Sequence, residues 1–169
     1  LQAQYRSRGE SQKLAALAEA RVAAGADQAT LLSLHETQAD LKSTLGDRAG
    51  AKEALRAALE IEPQRVDALE RLARVCLEDE DWRGAAEALI RFARLRQDRE
   101  DLRWVFFTLG DIYDQHLPDF RRAEAAYTRV LKLLPEDLEA RERLCRLYER
   151  EGEWGKAIVA LRQLLELEI

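Results

Sequence analysis

The sequence predicts an all-α protein, an α-solenoid of stacked antiparallel helical hairpins. Three observations carry that prediction. Only 8 Gly and 3 Pro are spread over 169 residues, too little turn material for a β-rich fold. Apolar residues recur at i, i+3, i+4 and i+7 through most of the chain, the spacing of one helix face. The punctuation also repeats: a shift of 72 residues lays Pro63 on Pro135, Leu72 on Leu144, Trp82 on Trp154, Ala85 on Ala157 and Leu89 on Leu161. Ala51 falls on Ala123 in the same shift, and each such unit holds two hairpins of about 34 residues.

The elements follow in order. Residues 1–28 read as a partial hairpin, because Leu1, Tyr5, Gly9 and Glu10 keep the spacing of Leu144, Tyr148, Gly152 and Glu153. The chain is therefore expected to begin inside a repeat, and the lack of Met fits an excised or processed piece of something longer. Residues 31–63 form the weakest copy. Its second helix is clear from Gly46, Ala51, Leu55, Ala58 and Pro63, but its first carries His35 and Gln38 where large apolar side chains are expected. Residues 66–97 form the next copy. In 103–135, one extra residue near Leu117 and Pro118 is expected to lengthen the turn between helices. The last copy, 138–169, keeps Leu144, Tyr148, Gly152, Trp154, Ala157 and Leu161, with Cys145 at a position that wants Gly or Ala. The whole of 1–169 reads as a single domain.

Local chemistry supports these boundaries. Gly46 and Gly152 suit the left-handed turn that closes a first helix, Asp47 and Asp81 can cap the helices that follow, and Pro63 and Pro135 stand just past second helices. Ala85, Ala123 and Ala157 let helices approach closely. Trp82, Phe120 and Trp154 are expected to fill the space beside the turn in equivalent surroundings. An apolar stripe that one hairpin cannot cover is covered by its neighbour, so a terminal hairpin needs a polar outer face. The last helix lacks one: Ile158, Leu161, Leu164, Leu165, Leu167 and Ile169 offer more apolar surface than one neighbour can bury. Either further repeats or self-association is expected to cover it.

Composition narrows the function classes. A formal charge of -5, from 27 Lys+Arg against 32 Asp+Glu, disfavours bulk attraction to nucleic acid or anionic lipid. No apolar stretch approaches the roughly 20 residues of a membrane span. Arg outnumbers Lys 22 to 5 and Asn is absent, which hints at a GC-rich bacterial coding sequence. Cys76 and Cys145 stand singly without a CxxC, so neither a disulfide framework nor a zinc knuckle is expected, and a cytoplasmic setting is the mild inference.

Candidate reactive motifs dissolve on inspection. His35-Glu36-Thr37-Gln38-Ala39 begins like a zinc-binding helix, but Ala39 holds the second ligand position. Gly155-Lys156 lacks both the preceding glycine and the hydroxyl of a phosphate loop. Carboxylate pairs at helical spacing are too numerous to mark a general acid, and solvated helix faces explain them. The arginine-dense stretch Arg91, Arg94, Arg96, Arg99 and Arg103 is interleaved with Asp98, Glu100 and Asp101 and reads as a solvated turn. Tyr113, Tyr127 and Tyr148 read as core. No enzyme, cofactor or metal site is expected.

The copy from Arg103 to Pro135, with Phe106-x-x-Leu109-Gly110-x-x-Tyr113, then Ala123-x-x-x-Tyr127 and Pro135, resembles the tetratricopeptide repeat (TPR) closely. The resemblance covers nearly the whole chain, as a fragment of a bacterial TPR array. It implies a right-handed superhelix and a non-catalytic protein-interaction scaffold whose first helices line a concave groove. Alignment assigns to that groove Ser33, Glu36, Asp40 and Ser43, then Asp67, Glu70, Arg74 and Leu77. Trp104, Phe107, Asp111 and Asp114 follow, and finally Glu139, Glu142, Arg146 and Glu149. Nine of these sixteen are acidic and two are basic. The expected partner is a basic or amphipathic peptide or helix, anchored on Trp104 and Phe107 and held by Glu70, Asp111, Asp114, Glu139 and Glu142. The chaperone-tail clamp of some TPR proteins is disfavoured, since Asn is absent and Glu or Phe stands where its Lys belongs. The alternative function is a structural spacer or self-association module in a longer repeat protein.

Overall fold

The computed structural model describes residues 27–167, together with the single positions 9, 13, 16, 17, 20 and 25 before them. Most of the partial hairpin expected over 1–28, with Leu1, Tyr5 and Glu10, lies outside the described residues, as does Ile169. Among the described residues there are eight α-helices and no strand: α1 (Gln28–Thr44), α2 (Arg48–Ile61), α3 (Val66–Glu78), α4 (Trp82–Ala93), α5 (Arg99–Asp111), α6 (Phe120–Leu133), α7 (Leu138–Arg150) and α8 (Trp154–Leu167). The chain divides into two compact units, Leu1–Phe92 and Ala93–Ile169.

In the first unit Asp27 caps α1 by accepting from the Thr30 N–H. The helix closes where Gly46 takes a φ of 73°, which lets the Asp47 N–H reach back to the Lys42 carbonyl at 2.9 Å. Asp47 then caps α2 through the Gly50 N–H at 2.9 Å. Ala51, Leu55 and Ala58 of α2 are buried, and α2 packs on both α1 and α3. Pro63 stands just beyond Ile61, where a missing N–H breaks no helical bond. The weak first helix keeps its register: Gln38 is buried where an apolar residue is expected, beside a fully buried Ala39. In α3 and α4 the cores are Leu69, Leu72, Ala73 and Cys76, then Ala85, Leu89 and Phe92.

The end of α3 departs from its copies. Glu80 takes a φ of 55° at the register position held by Gly46 and Gly152, a conformation that costs a side-chain-bearing residue about 1–2 kcal/mol. Glu80→Gly is expected to raise stability by about 0.5–1 kcal/mol, less than the strain relieved because glycine also loosens the unfolded chain. A lowered urea midpoint would contradict this.

Asp81 caps α4 by accepting from the Gly84 N–H at 3.0 Å, and Lys52 of α2 donates to it at 3.2 Å and to Asp79 at 2.6 Å. The Gly84 N–H above all, and then the Lys52 ammonium, hold the Asp81 carboxyl below the usual carboxylate range. A depressed carboxyl stabilises the fold above the unfolded value of about 4 and loses that contribution as pH falls through its own lower value. Asp81→Asn keeps an acceptor for Gly84 but no charge for Lys52. It is expected to flatten the acid limb of stability, read as urea midpoints between about pH 5 and pH 2; an unchanged limb would contradict the assignment.

In the second unit Asp98 caps α5 by accepting from the Glu100 and Asp101 N–H groups at 3.0 and 3.1 Å. The extra residue does not lengthen the turn, as expected from sequence, but is absorbed at the end of the helix. Ile112–His116 form a π-helical turn, with the Leu117 N–H bonded to the Ile112 carbonyl at 2.8 Å. Widening the helix keeps Ile112 and Tyr113 in the core and delivers Asp119 to cap α6 through the Arg122 N–H at 3.0 Å. Asp137 caps α7 through the Ala140 N–H at 2.9 Å, and Gly152 at a φ of 75° closes it. Ala123, Tyr127, Val130, Leu144, Leu147 and Ala157 form the core.

Gly110 is required there by close approach: a Cβ on it would lie 2.4 Å from Tyr127 Cε1. One expectation fails at the turn aromatics. Phe120 meets Tyr148 of the next first helix edge to face, with centroids 6.3 Å apart and Lys156 over both rings. Trp154 holds the same register position yet is 64% exposed, while Trp82 is half-buried. Phe120 finds its partner on α7, whereas no described residue covers Trp154 in that way. Ile158, Leu161 and Leu165 are likewise exposed, Leu164 is half-buried, and the Leu167 side chain lies outside the described residues.

Candidate functional site

Among the described residues no three His, Cys, Asp or Glu side chains stand together so as to hold a metal. Both cysteines are buried, and burial above all pushes the Cys76 thiol up to about 11, so its thiolate is scarce near neutral pH. Lys156 lies in α8 and pairs with Glu124 at 2.7 Å. No helix among the described residues is long and apolar enough to cross a membrane.

Three arginines of the dense stretch make ties, while Arg94 and Arg99 are exposed. Arg91 donates to the Pro63 carbonyl at 2.9 Å, Arg96 pairs with Asp101 at 3.1 Å, and Arg103 reaches Asp137 at 2.5 Å and Glu139 at 3.1 Å. Arginine's long stem and planar fork make such reach between helices possible.

The face assigned to the first helices forms within each unit. In the first, Ser33, Glu36, Asp40 and Ser43 lie on α1, and Asp67, Glu70, Arg74 and Leu77 on α3. Glu36 accepts from Arg65 at 2.5 Å, Asp40 pairs with Arg71, and Glu70 pairs with Arg74 at 2.9 Å. In the second, Trp104, Phe107 and Asp111 lie on α5, Asp114 in the π turn, and Glu139, Glu142, Arg146 and Glu149 on α7. Asp111 accepts from the Tyr127 hydroxyl at 2.7 Å and pairs with Arg143 at 3.4 Å. Asp114 pairs with Arg150 at 2.5 Å and Glu142 with Arg146 at 3.3 Å. Trp104 and Phe107, one helical turn apart, are both half-buried. The Phe107 ring lies edge to face with Tyr127 at 5.8 Å, with the Arg103 and Arg143 guanidinium groups over it at 5.4 and 5.6 Å.

Seven of the nine assigned carboxylates therefore already carry an arginine. Sequence reasoning assigned Arg74 and Arg146 to this face but missed the part of the other five arginines, chiefly Arg71 and Arg143. They are equivalent under the 72-residue shift, and each reaches from one first helix to an aspartate on the preceding one. That recurrence was the available signal. The result is a ladder of partly exposed ion pairs. Each rung is worth about 0–1 kcal/mol, weak enough for an incoming charged side chain to replace one member.

A fold of capped helical hairpins repeated in register, with a charged first-helix face, defines a helical-repeat scaffold of the protein-interaction class. The tetratricopeptide repeat matches residues 33–65, 68–103 and 118–168, and the chain belongs to that family, whose members are typically non-catalytic. A crystal structure of MamA protein is 25% identical over 81% of this chain and 73% of its own, with a TM-score of 0.64. MamA from Desulfovibrio magneticus RS-1 is 16% identical and covers 94% of each chain with a TM-score of 0.58. YrrB, a TPR protein with an unusual peptide-binding site, is 20% identical over 79% of this chain and 67% of its own, with a TM-score of 0.60. No curated protein sequence matches the chain.

Proposed function

We propose that this protein is a non-catalytic cytoplasmic scaffold that receives a basic or amphipathic helical segment of a partner protein on its first-helix face. Within residues 93–169, Trp104 and Phe107 anchor the partner's apolar side chains, while Asp111, Asp114, Glu139 and Glu142 take its cations in exchange for resident arginines such as Arg146. Glu70 and Arg74 offer the same chemistry in the first unit. The observation that supports this reading is the pair of half-buried rings set among half-exposed ion pairs. The test uses an amphipathic helical Lys/Leu peptide as probe. Trp104→Ala and Phe107→Ala are each expected to weaken its binding about 30-fold, and raising ionic strength is expected to weaken it further. Binding indifferent to both substitutions would overturn the anchor assignment, and binding indifferent to salt would overturn the electrostatic one.

A spacer or self-association role is the second reading, and the exposed stripe Trp154, Ile158, Leu161 and Leu165 favours it. The register equivalent of Trp154 on α6, Phe120, is met by Tyr148 of α7. A second copy of the chain laid on α8 would cover Trp154 in the same manner. Under this reading the light-scattering mass rises with concentration and Ile158→Glu returns it to the monomer; a monomer at every concentration refutes it.

A further inference from the structure

A recess separate from the first-helix face lies over α7 between α6 and α8. Its volume is about 360 Å³, with Leu131 on one wall, Val159 and Ala160 on the other, and Arg141, Leu144 and Tyr148 as its floor. The first unit has the equivalent recess between α2 and α4, where Leu59, Leu72 and Ala88 precede Leu131, Leu144 and Ala160 by 72 residues. The two differ in where their guanidinium groups stand. In the first unit Arg91 stands on the wall together with Arg56; Arg91 donates to the Pro63 carbonyl at 2.9 Å and Arg56 pairs with Asp81 at 3.7 Å, in a recess also lined by Glu60 and Glu87. The floor position there is Leu69, fully buried.

In the second unit two places are exchanged in character: Gln163 replaces Arg91 and Arg141 replaces Leu69. Arg141 donates to Gln163 Oε1 at 2.5 Å and to the Pro135 carbonyl at 2.6 Å, both neutral acceptors. It is only 9% exposed, and its Nε–H is enclosed without an acceptor. Lys156 at the rim is already held by Glu124, so Arg141 is the cation of this recess that no described carboxylate pairs. A buried cation without an anion is costly, and Leu69 shows that packing at this position needs no charge. The lining is mostly apolar, and Val159 is 55% exposed.

We propose that this recess is a second docking site, for a partner helix that sets one Asp or Glu side chain beside the Arg141 guanidinium and flanking apolar side chains on Leu131, Leu144 and Val159. A cleft walled by two helices and floored by a third accepts the ridge of a fourth. The carboxylate supplies the charge that the recess lacks. The site stands independently of the first-helix face, whose ligand carries the opposite charge.

The test sorts a yeast-displayed library of helical peptides on the full 169-residue chain. The expected result is a family of peptides with Asp or Glu one turn from apolar residues. Their binding falls about 30-fold or more on Arg141→Met and on Val159→Glu, the latter placing a rival carboxylate at the recess, and is unmoved by Trp104→Ala. Replacing the peptide's acid by its amide is expected to give the same loss. Should Arg141→Met fail to fold, Val159→Glu decides alone, because its site is exposed. The proposal is overturned if no selected peptide responds to Val159→Glu, if the acid-to-amide change leaves binding intact, or if Val159→Glu alters only self-association.

Discussion

Tyr127→Ala is expected to destabilise residues 93–169 by about 3–5 kcal/mol, the largest single effect we foresee. Tyr127 is fully buried, and its ring occupies the space that Gly110 leaves by having no Cβ. Removing it opens a cavity between α5 and α6 that neither backbone can close without breaking helical hydrogen bonds. Two groups of the candidate face also lose support. The Phe107 ring loses its edge-to-face neighbour, and Asp111 loses the hydroxyl that donates to it. Tyr127→Phe separates the contributions, since it keeps the ring and removes only the bond to a charged acceptor, for about 1.5–3 kcal/mol. Burial above all, with the Asp111 carboxylate beside it, pushes the Tyr127 hydroxyl far up, so it stays protonated at any working pH. Urea unfolding followed by circular dichroism checks both variants. A change below about 1 kcal/mol for Tyr127→Ala would mean that the ring is not the keystone of this hairpin.

Asp137→Ala is expected to cost about 2–4 kcal/mol, because one side chain performs two tasks. It caps α7 through the Ala140 N–H and binds Arg103 at 2.5 Å, with only 5% of its side chain exposed. The Asp137 carboxylate, ahead of Glu139, holds the Arg103 guanidinium above its ordinary value, and Arg103 in turn lies over Phe107. Asp137→Ser restores the cap but not the charge, and so is expected to recover about 1 kcal/mol of the loss. Equal losses for Ala and Ser would show that the cap contributes nothing.

How much of this was legible in the sequence depends on whether a residue's role is local or borrowed from a neighbour. Helix boundaries were legible because their causes are local: Asp47, Asp81, Gly46 and Gly152 act on backbone within a few residues. The spacing of the hairpins was legible because Ala85, Ala123 and Ala157 recur at equivalent, buried positions. Roles set by what lies on top were not legible. Trp82 and Trp154 are identical in register and unequal in exposure, and no residue next to either in the sequence separates them. The acidic surplus of the candidate face was counted correctly from its own residues, but Arg65, Arg103, Arg143 and Arg150 reach it from elsewhere. Long flexible side chains decouple where a charge is written in the chain from where it acts. Glu80 in a left-handed turn and the π turn at 112–116 were invisible for another reason. In both, backbone geometry is imposed by the register of the following helix against local preference.

The three indole N–H signals of Trp82, Trp104 and Trp154 allow the central claim to be tested in one experiment. A nitrogen–proton correlation spectrum of the full chain is recorded while the Lys/Leu helical peptide is titrated in, first at low and then at high salt. We expect the Trp104 signal to move saturably at low salt and to return toward its free position at high salt, with Trp154 unmoved. A Trp104 signal that stays fixed while the peptide binds elsewhere, or moves equally at both salt concentrations, would contradict a charged, aromatic-anchored docking face.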